Sequence, residues 1–359
     1  MYHAESISDV QQFVRDRSHV VATGAGTKSA LSRHANLGVG KLSGVLQYQP
    51  SEYTFTALAG TPVRAVQQQL AANRQYLPFD PPLVDSGATL GGTVAAGLSG
   101  PGRFRYGGVR DFLLGVRLVN GLGDVVYGGG KVVKNAAGFD FPKLMIGGLG
   151  QFGVLVEFTF KVFPAREASS TICVRLADAA ESVDSMNCLA ASNAEIDHLD
   201  YEPPQHLRIR ISGMRDALAG RIDRLRDFFP ATASVEHVGE DSWADVREFG
   251  WVPVGHGVLK IPLAPLDILK VEQFIATLDT SIPRRYSGGG NVAWLGWPEG
   301  LSESHLVEML TAIDRPALAV TGRWSRPLFG AVRGQAFAER LRTVFDPSGK
   351  FCVDVTAGG

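Results

Sequence analysis

The chain has 359 residues with a formal net charge of −1, a hydrophobic content of 45% and a charged content of 20%. This composition is typical of a packed globular protein and excludes a disordered one, and the length favours two domains. The near-neutral charge predicts no basic face for nucleic acid. No apolar run could span a membrane and the N-terminal segment lacks the features of a secretory signal, so we expect a cytoplasmic protein.

The three cysteines are far apart in the sequence and show no metal-binding spacing. We interpret Cys173, Cys188 and Cys352 as reduced core thiols. The chain therefore offers no predicted ligand set for an iron–sulfur cluster.

The first half of the chain is predicted to alternate short strands with helices. A helix over SISDVQQFVRDR is expected to have Ser8 as its cap, with Gln11 completing a capping box. A second helix, TPVRAVQQQLAANR, should have Thr61 as its cap and Pro62 at its first position. Strands are predicted at HVVATG, GVLQY, TFTALAG, LLGVRLVN, GDVVYGG and, from strict apolar alternation, at 153–163. We interpret the first fifty residues, including GVLQY, as one small α/β unit.

After about residue 166 glycine becomes rarer and the pattern changes. Helices are predicted at ESVDSMNCLAAS, MRDALAGRIDRLRDFF, APLDILKVEQFIATL and SESHLVEMLTAI, and strands at HLRIRIS, HGVLKIPL and NVAWLGW. This order predicts a separate α+β domain with a mainly antiparallel sheet. A last helix, GQAFAERLRTVF, precedes the turn DPSG.

The loop GAGTKS at 24–29 follows a predicted strand and resembles part of a dinucleotide-binding fingerprint. Ser29 stands where the third glycine would be, and the next strand, GVLQYQ, ends without the acid that would bind a ribose. No Walker A motif occurs. We therefore predict either a loop whose amides, with Thr27 and Lys28, bind a phosphate in a different fold, or a plain turn.

A second glycine-rich stretch, TLGGTVAAGLSGPGRFRYGGVRD, covers residues 89–111. If a helix begins near Gly92, its N-terminal amides favour a phosphate there. Arg103, Arg105 and Arg110 either add positive charge to the same ligand or are solvated, and for each one the solvated interpretation is favoured.

The third stretch runs from 128 to 158 and contains GGLGQFG just before the alternating strand. Asp140 is predicted to cap a helix whose first turn contains Pro142. Three separated glycine-rich loops, each beside a strand, are difficult to explain as turns alone. We predict that they form three walls of one extended cofactor site.

The stretches GGTVAAGLSGPGRFRYGGVRDFLLG and KVVKNAAGFDFPKLMIGGLGQFGVLVEFTFKVFP resemble the FAD-binding family typified by vanillyl-alcohol oxidase and p-cresol methylhydroxylase. Within that family the chain is most similar to FAD-binding subunits of bacterial glycolate oxidases. The resemblance implies an α+β fold with a PCMH-type FAD-binding domain over 1–165, in two subdomains of about 1–50 and 51–165. A cap domain with an antiparallel sheet would follow over 166–330, and the helix and turn over 331–359 would return to the FAD domain.

The resemblance also implies which residues bind FAD. The first loop would bind the pyrophosphate through backbone amides, the second stretch would line the phosphates and the flavin, and the third would approach the adenosine or the flavin. The implied cofactor-binding residues are Gly24, Ala25, Gly26, Thr27, Lys28, Gly87, Ala88, Thr89, Gly91, Gly92, Thr93, Ala96, Gly97, Ser99, Tyr106, Gly107, Gly153 and Val154. No catalytic residue and no metal ligand is predicted.

The chain departs from the family in three places. Many members carry a histidine in the first loop for covalent flavin attachment, whereas Thr27 and Lys28 stand here, which predicts non-covalent FAD. Related 2-hydroxy-acid dehydrogenases have a histidine-rich metal motif where this chain has SGGGNVAWLG, and the C-terminal asparagine–proline–glycine is replaced by KFCVDV. Arg323 and Arg326 could contact a carboxylate substrate or a helix end.

These features lead to two main hypotheses about function. The first is an FAD-binding subunit of a glycolate-type 2-hydroxy-acid oxidase or dehydrogenase, whose flavin accepts a hydride and passes electrons to a partner. The resemblance implies a second flavin subunit and an iron–sulfur subunit as partners, with membrane association only through them. The alternative is a non-catalytic FAD-containing subunit that supports a paralogous catalytic flavoprotein, and a stand-alone flavin reductase is a third, weaker alternative.

Overall fold

The computed structural model of the chain describes residues 1–130, 140–239 and 241–351. The chain divides into two compact units. The first comprises Met1–Ser99, Gly108–Ala165 and the residues from Arg333 on, and the second comprises Gly100–Gly107 and Arg166–Val332. None of the described helices is both long and apolar enough to cross a lipid bilayer.

Both units combine strands with helices. The described strands are β1 Tyr2–His3, β2 Ala22–Thr23, β3 Leu37–Gly38, β4 Val45–Gln49, β5 Thr54–Leu58, β6 Gln75–Tyr76, β7 Leu113–Val119, β8 Val125–Gly129, β9 Val154–Lys161, β10 Phe163–Pro164, β11 Ala168–Arg175, β12 His198–Glu202, β13 His206–Gly213, β14 Ser234–Val238, β15 His256–Pro262, β16 Arg284–Ser287, β17 Val292–Pro298, β18 Pro316–Ala319 and β19 Leu328–Gly330. The described helices are α1 Ile7–Asp16, α2 Val63–Ala71, α3 Leu90–Ala96, α4 Arg103–Tyr106, α5 Phe141–Met145, α6 Ala179–Ala191, α7 Leu218–Arg226, α8 Ser242–Glu248, α9 Asp267–Ile275, α10 Glu303–Ile313 and α11 Gln335–Phe345.

The first unit contains two main sheets. A parallel sheet has the strand order β1-β3-β2, and an antiparallel sheet has the order β4-β5-β9-β7-β8. Val10 and Val14 of α1 pack with Leu37 of β3 and Val156 of β9 in one buried cluster. Because this core joins α1 to both sheets, it holds the loops that follow β2 and precede β9 in defined positions.

The residues after α11 are bound to the first unit by hydrogen bonds. The Asp346 carboxylate accepts the N–H groups of Lys350 at 2.9 Å and Phe351 at 2.7 Å. Lys350 Nζ donates to the Val14 carbonyl at 2.6 Å, and Phe351 belongs to the buried cluster around α1. The C-terminal turn is therefore an integral part of this unit.

The second unit is built on an antiparallel sheet with the order β14-β11-β13-β12-β16-β17-β15-β18-β19. Successive side chains of a strand point to opposite faces. Leu199 and Tyr201 of β12 are buried apolar residues of one face, and the Tyr201 ring stacks on Tyr286 of β16 with centroids 5.6 Å apart. The intervening Asp200 and Glu202 belong to the opposite face. The predicted α+β class with an antiparallel sheet in the second half is confirmed.

Two predicted helix caps are wrong. In α1 the cap is Ser6, whose Oγ accepts the Asp9 N–H at 3.1 Å while Asp9 Oδ2 accepts the Ser6 N–H at 2.9 Å, so the reciprocal box lies two residues earlier than predicted. Helix α2 begins at Val63 with Pro62 as its cap. The Thr61 hydroxyl instead donates to the Leu58 carbonyl at 2.7 Å, which binds it to the end of β5.

Two further expectations also need correction. The strand predicted at GVLQY is β4, but it pairs with β5 in the five-stranded sheet and is not part of the parallel sheet formed by the first forty residues. Cys188 is exposed and Cys173 is half-buried, so neither is a core thiol, although both are free. Cys352 and the segment KVVKNAAGF at 131–139 lie outside the described residues.

Candidate functional site

The three glycine-rich stretches meet around one cavity in the first unit. The cavity is open to solvent on one side, and with that open space included its volume is about 710 Å³. Its walls come from β2 and the loop after it, the residue after β3, helix α3 with its capping residue, the loop before β9 and one residue of β9, Leu155. The lining residues are Ala22, Thr23, Gly24, Ala25, Gly26, Thr27, Lys28, Leu31, Ser32, Val39, Thr89, Gly91, Gly92, Ala95, Ala96, Leu149, Gly150, Gly153 and Leu155.

The loop after β2 touches the second stretch so closely that Gly24 has no room for a side chain. A Cβ atom at this position would lie 2.2 Å from Thr89 Oγ1. Two residues later Gly26 has a φ of +73°, a backbone conformation that glycine adopts without steric cost. Both glycines are therefore needed for the course of this loop.

The backbone amides of the same loop are available to a ligand. The N–H groups of Gly24, Ala25, Gly26 and Thr27 donate no hydrogen bond to any described residue. All four residues line the cavity, and Ala25 and Gly26 are exposed. Successive N–H groups in such a loop form a concave site for an anion. The loop can therefore bind a phosphate group through its main chain.

Helix α3 does not offer the free amides that the sequence predicted for it. The Leu90 N–H donates to Thr61 O at 3.0 Å and the Gly91 N–H to Ala59 O at 2.8 Å. The Gly92 N–H donates to the capping hydroxyl of Thr89 at 3.3 Å. The expected phosphate contact at the N-terminus of this helix is therefore wrong, because protein atoms already satisfy its first three amides.

The third stretch is bound directly to α3. The Gly147 N–H donates to Val94 O at 3.0 Å, and the Leu149 N–H donates to Ala95 O at 2.9 Å. Gly97, with a φ of +60°, allows this approach, because a Cβ there would lie 3.1 Å from Gly147 Cα. The second and third walls of the cavity consequently form one hydrogen-bonded block, and the first loop closes against it.

The family comparison agrees with this geometry. Residues 2–128 match the family described as FAD binding domain. Residues 2–128 carry an FAD binding domain. FAD as the cofactor and the FAD-binding family predicted from the sequence are thereby confirmed.

Several curated relatives are named as oxidases or dehydrogenases of hydroxy acids. The chain is 39% identical to glycolate oxidase subunit GlcE of Escherichia coli (strain K12) over 174 residues, 48% of this chain and 50% of that protein. It is 30% identical to D-2-hydroxyglutarate dehydrogenase of Xanthomonas citri pv. viticola over 48% of this chain and 38% of that protein. It is 27% identical to glycolate oxidase subunit GlcD of Bacillus subtilis (strain 168) over 36% of this chain and 27% of that protein. The chain thus spans half or less of the length of these relatives.

One solved structure resembles this chain over nearly its whole length, including the residues outside the matched FAD binding domain. A structure of alkyldihydroxyacetonephosphate synthase superimposes with a TM-score of 0.71 and 14% identity, covering 97% of this chain and 74% of that one. At this identity the likeness shows the fold alone.

The walls of the cavity fit a dinucleotide that carries a diphosphate and flat rings. Among the described lining residues, Lys28 has the only charged side chain. Lys28 is 5% exposed, and its Nζ donates a hydrogen bond to Thr27 Oγ1 at 3.1 Å. A single ammonium beside free amides is complementary to a diphosphate. Small apolar residues such as Ala95 and Ala96 permit close contact with a ring system.

The structure places the predicted cofactor-binding residues in two groups. Ten of them line the cavity: Gly24, Ala25, Gly26, Thr27, Lys28, Thr89, Gly91, Gly92, Ala96 and Gly153. The remaining eight do not line it: Gly87, Ala88, Thr93, Gly97, Ser99, Tyr106, Gly107 and Val154.

Several of the eight have a structural role in this chain. The Ser99 hydroxyl accepts the Val109 N–H at 2.9 Å inside the first unit. Tyr106 belongs to the second unit, where its hydroxyl donates to Asp197 at 3.1 Å. Thr93 is buried, and its Oγ1 has no hydrogen-bond partner among the described residues, so a ligand or a water could still use it.

Sequence reasoning missed part of the lining. Leu31, Ser32, Val39, Leu149 and Leu155 also face the cavity. The sequence offers little indication of these positions, because isolated residues of this kind next to a loop more often belong to a core or a turn than to a binding site. Arg105, expected to be solvated, instead forms ion pairs with Glu195 at 3.2 Å and Asp197 at 3.5 Å in the second unit.

In the described part of the chain, no group of three or more histidine, cysteine, aspartate or glutamate residues is arranged to hold a metal ion.

Proposed function

We propose that the chain is the FAD-binding subunit of a 2-hydroxy-acid oxidase or dehydrogenase of the glycolate type. The observation that carries the proposal is the run of four unused amides, Gly24 to Thr27, on a cavity within the matched FAD binding domain. Relatives named for glycolate, D-2-hydroxyglutarate and D-lactate support the substrate class. When bound, FAD supplies hydride acceptance and electron transfer.

The residues of the cavity suggest how they share the binding of FAD. The amides of Gly24 to Thr27 would donate to the diphosphate, and the Lys28 ammonium would add the positive charge that neutral amides lack. The block formed by α3 and the loop before β9 would bind the rings through close backbone contact. A Cβ at Gly91 would lie only 3.0 Å from Ala59 O, so glycine at this position lets α3 pack closely against the residue after β5.

We further propose that the chain works in a hetero-oligomer with a second flavin subunit and an iron–sulfur subunit in the cytoplasm. Two relatives carry the word subunit in their names, which supports an assembly of several chains. Electrons from a reduced flavin need an external acceptor.

We predict that FAD is held without a covalent bond. Thr27 and Lys28 occupy the first loop, where many members of the resembling family carry the histidine that attaches to flavin. Acid or heat denaturation followed by filtration should release all yellow colour from the polypeptide. Fluorescent flavin that stays with the denatured chain on a gel would contradict this prediction.

One feature favours the non-catalytic alternative. The turn after β16 contains Gly288 and Gly289, whose Cβ positions would lie 3.2 Å from Arg103 Cγ and 2.7 Å from the Phe104 ring. Side chains of the second unit thus cover both glycines of the segment in which related dehydrogenases would have metal-binding histidines.

Anaerobic reduction distinguishes the two functions. If the chain oxidises the substrate by itself, glycolate or D-lactate should bleach the visible absorbance of the flavin in purified, FAD-loaded protein without any partner. If dithionite reduces the bound flavin but neither glycolate nor D-lactate does, the result would support the non-catalytic subunit. Protein that cannot bind FAD at all would contradict both.

A further inference from the structure

Strand β8 forms one edge of the five-stranded sheet in the first unit. Val125 of this strand is 37% exposed and Tyr127 is 54% exposed. The strand sequence, VVYGG, contains no charged residue and no proline, and its pairing with β7 has no bulge. An exposed edge strand without such features binds further strands readily. Strand β8 is therefore suited to pairing with another chain.

The other edge strands of the two large sheets each carry a protective feature. Strand β4 is interrupted by a bulge between Val45 and Gln47. Strand β14 contains Glu236, and strand β19 has only three residues. Bulges, charged residues and a short length are common means of keeping an edge from pairing. Strand β8 lacks all of them, as expected for an edge that is covered in the assembled protein.

The hydrogen-bonding pattern shows which backbone groups of β8 face outward. The Asn120 N–H donates to the Asp124 carbonyl at 3.0 Å, where the hairpin of β7 and β8 begins. Bonded and non-bonded pairs alternate along an antiparallel ladder, so Val126 bonds to β7, and the N–H and C=O groups of Val125 and Tyr127 point away from it. No described residue forms a hydrogen bond with these outward groups.

We propose that β8 pairs antiparallel with β8 of a second copy of this chain, about a two-fold axis at Val126. In this register Val125 lies opposite Tyr127 of the second copy, and the reverse pair follows by symmetry. The outward N–H and C=O groups then form two backbone hydrogen bonds at each pair. Each pair also joins an aromatic to a β-branched side chain, a combination that stabilises antiparallel sheets. Because one segment supplies both members of every pair, the edge is complementary to itself.

This dimer goes beyond the proposed function and does not depend on it. None of the described residues of β8 lines the FAD cavity. Breaking the dimer should therefore leave the affinity for FAD unchanged, which separates loss of the interface from loss of the fold.

Analytical ultracentrifugation of the full FAD-loaded chain tests the interface, at protein concentrations of about 1 to 100 μM, where weak interfaces dissociate. The parent should show a monomer–dimer equilibrium. Tyr127→Lys should raise the dissociation constant of the dimer at least about tenfold, because each interface loses both aromatic contacts and gains two like charges. Leu46→Lys is the matched control on the other edge strand, where Leu46 is 55% exposed, and should leave the constant unchanged.

A single cysteine tests the register. Val126 would face its own copy in a non-hydrogen-bonded pair with Cα atoms about 4.5 Å apart, a separation that a disulfide can bridge. Val126→Cys should therefore give a disulfide-linked dimer on mild oxidation, in a Cys188→Ser background because Cys188 is exposed. Tyr127→Cys should link much less, since its diagonal counterpart lies about 7–8 Å away.

The outcomes that would overturn the dimer are distinct from a folding defect. A parent that stays monomeric at every concentration would overturn the proposal, as would a dimer that Tyr127→Lys does not weaken. More linked dimer from Tyr127→Cys than from Val126→Cys would overturn the register. If Tyr127→Lys melts at a lower temperature than the parent, Val125→Lys puts the charge at the other member of the pair and should weaken the dimer to a similar degree.

Discussion

Replacing Gly24 by alanine should cost the chain most of its FAD. The new Cβ would lie 2.2 Å from Thr89 Oγ1, well inside van der Waals contact, so the loop after β2 must move away from α3. Overpacking of this kind costs about 1–3 kcal/mol, which corresponds to a loss of affinity of about five- to 150-fold if the strain falls on the FAD-bound state. The flavin content after gel filtration and the dissociation constant from flavin fluorescence measure the effect.

A second substitution tests whether the contact with Thr89 is the cause. The nearest atoms to the added Cβ are Thr89 Oγ1 at 2.2 Å and Thr89 Cβ and Cγ2 at 3.2 Å each. Adding Thr89→Ala to Gly24→Ala removes the worst of these contacts and should restore part of the affinity, although loss of the α3 cap itself costs about 1 kcal/mol. Gly300→Ala, at a glycine with no neighbouring atom within 4 Å, should bind FAD normally. Normal FAD affinity in Gly24→Ala would show that the loop does not form this wall.

Replacing Lys260 by methionine should stabilise the second unit at neutral pH. Burial, and secondarily the charge of Arg103, lowers the pKa of Lys260 from 10.5 to about 8. Because each unit of pKa corresponds to about 1.4 kcal/mol, the folded chain carries a penalty of up to about 3 kcal/mol wherever Lys260 is charged. Methionine removes the charge and keeps the length of the side chain, and replacing a buried charge by an apolar residue often stabilises a protein.

The pH dependence gives the sharper test of Lys260. Below about pH 8 the lysine is protonated in both states and the penalty is complete. Between about pH 8 and 10.5 the folded state loses the proton while the unfolded state keeps it, so the parent chain gains stability as the pH rises. The difference in unfolding free energy between Lys260→Met and the parent, from urea unfolding, should therefore shrink towards zero across this interval.

Lys270→Met is the matched control, because the Lys270 side chain lies on α9 of the same unit and is 62% exposed. The unfolding free energy of the Lys270→Met chain should equal that of the parent chain at every pH. A Lys260→Met chain that is less stable than the parent at neutral pH would contradict the buried-charge explanation.

Much of the fold and the centre of the site could be predicted from the sequence. The alternation in β9 and the helical segments of the second half appear within a few residues of their predicted positions, since each pattern is local. The meeting of three glycine-rich stretches was also predictable, because glycine enrichment beside several strands has few other physical explanations.

The errors concern interactions between residues that are distant in sequence. The amides at the start of α3 bind carbonyls of Ala59 and Thr61, about thirty residues earlier, and no local pattern reports this. Strand β4 was assigned to the wrong sheet because alternation identifies a strand but not its neighbour.

The backbone passes from one unit to the other four times, which limits how either unit can be produced separately. The chain leaves the first unit after Ser99, returns at Gly108, leaves again after Ala165 and returns at Arg333. A fragment ending at Ala165 would lack Asp346 and Phe351, and its Tyr106 would have lost Asp197. Neither unit is therefore one continuous piece of the chain that could be cut out or produced by itself, and synthesis must pass Phe351 before the cofactor-binding unit is complete.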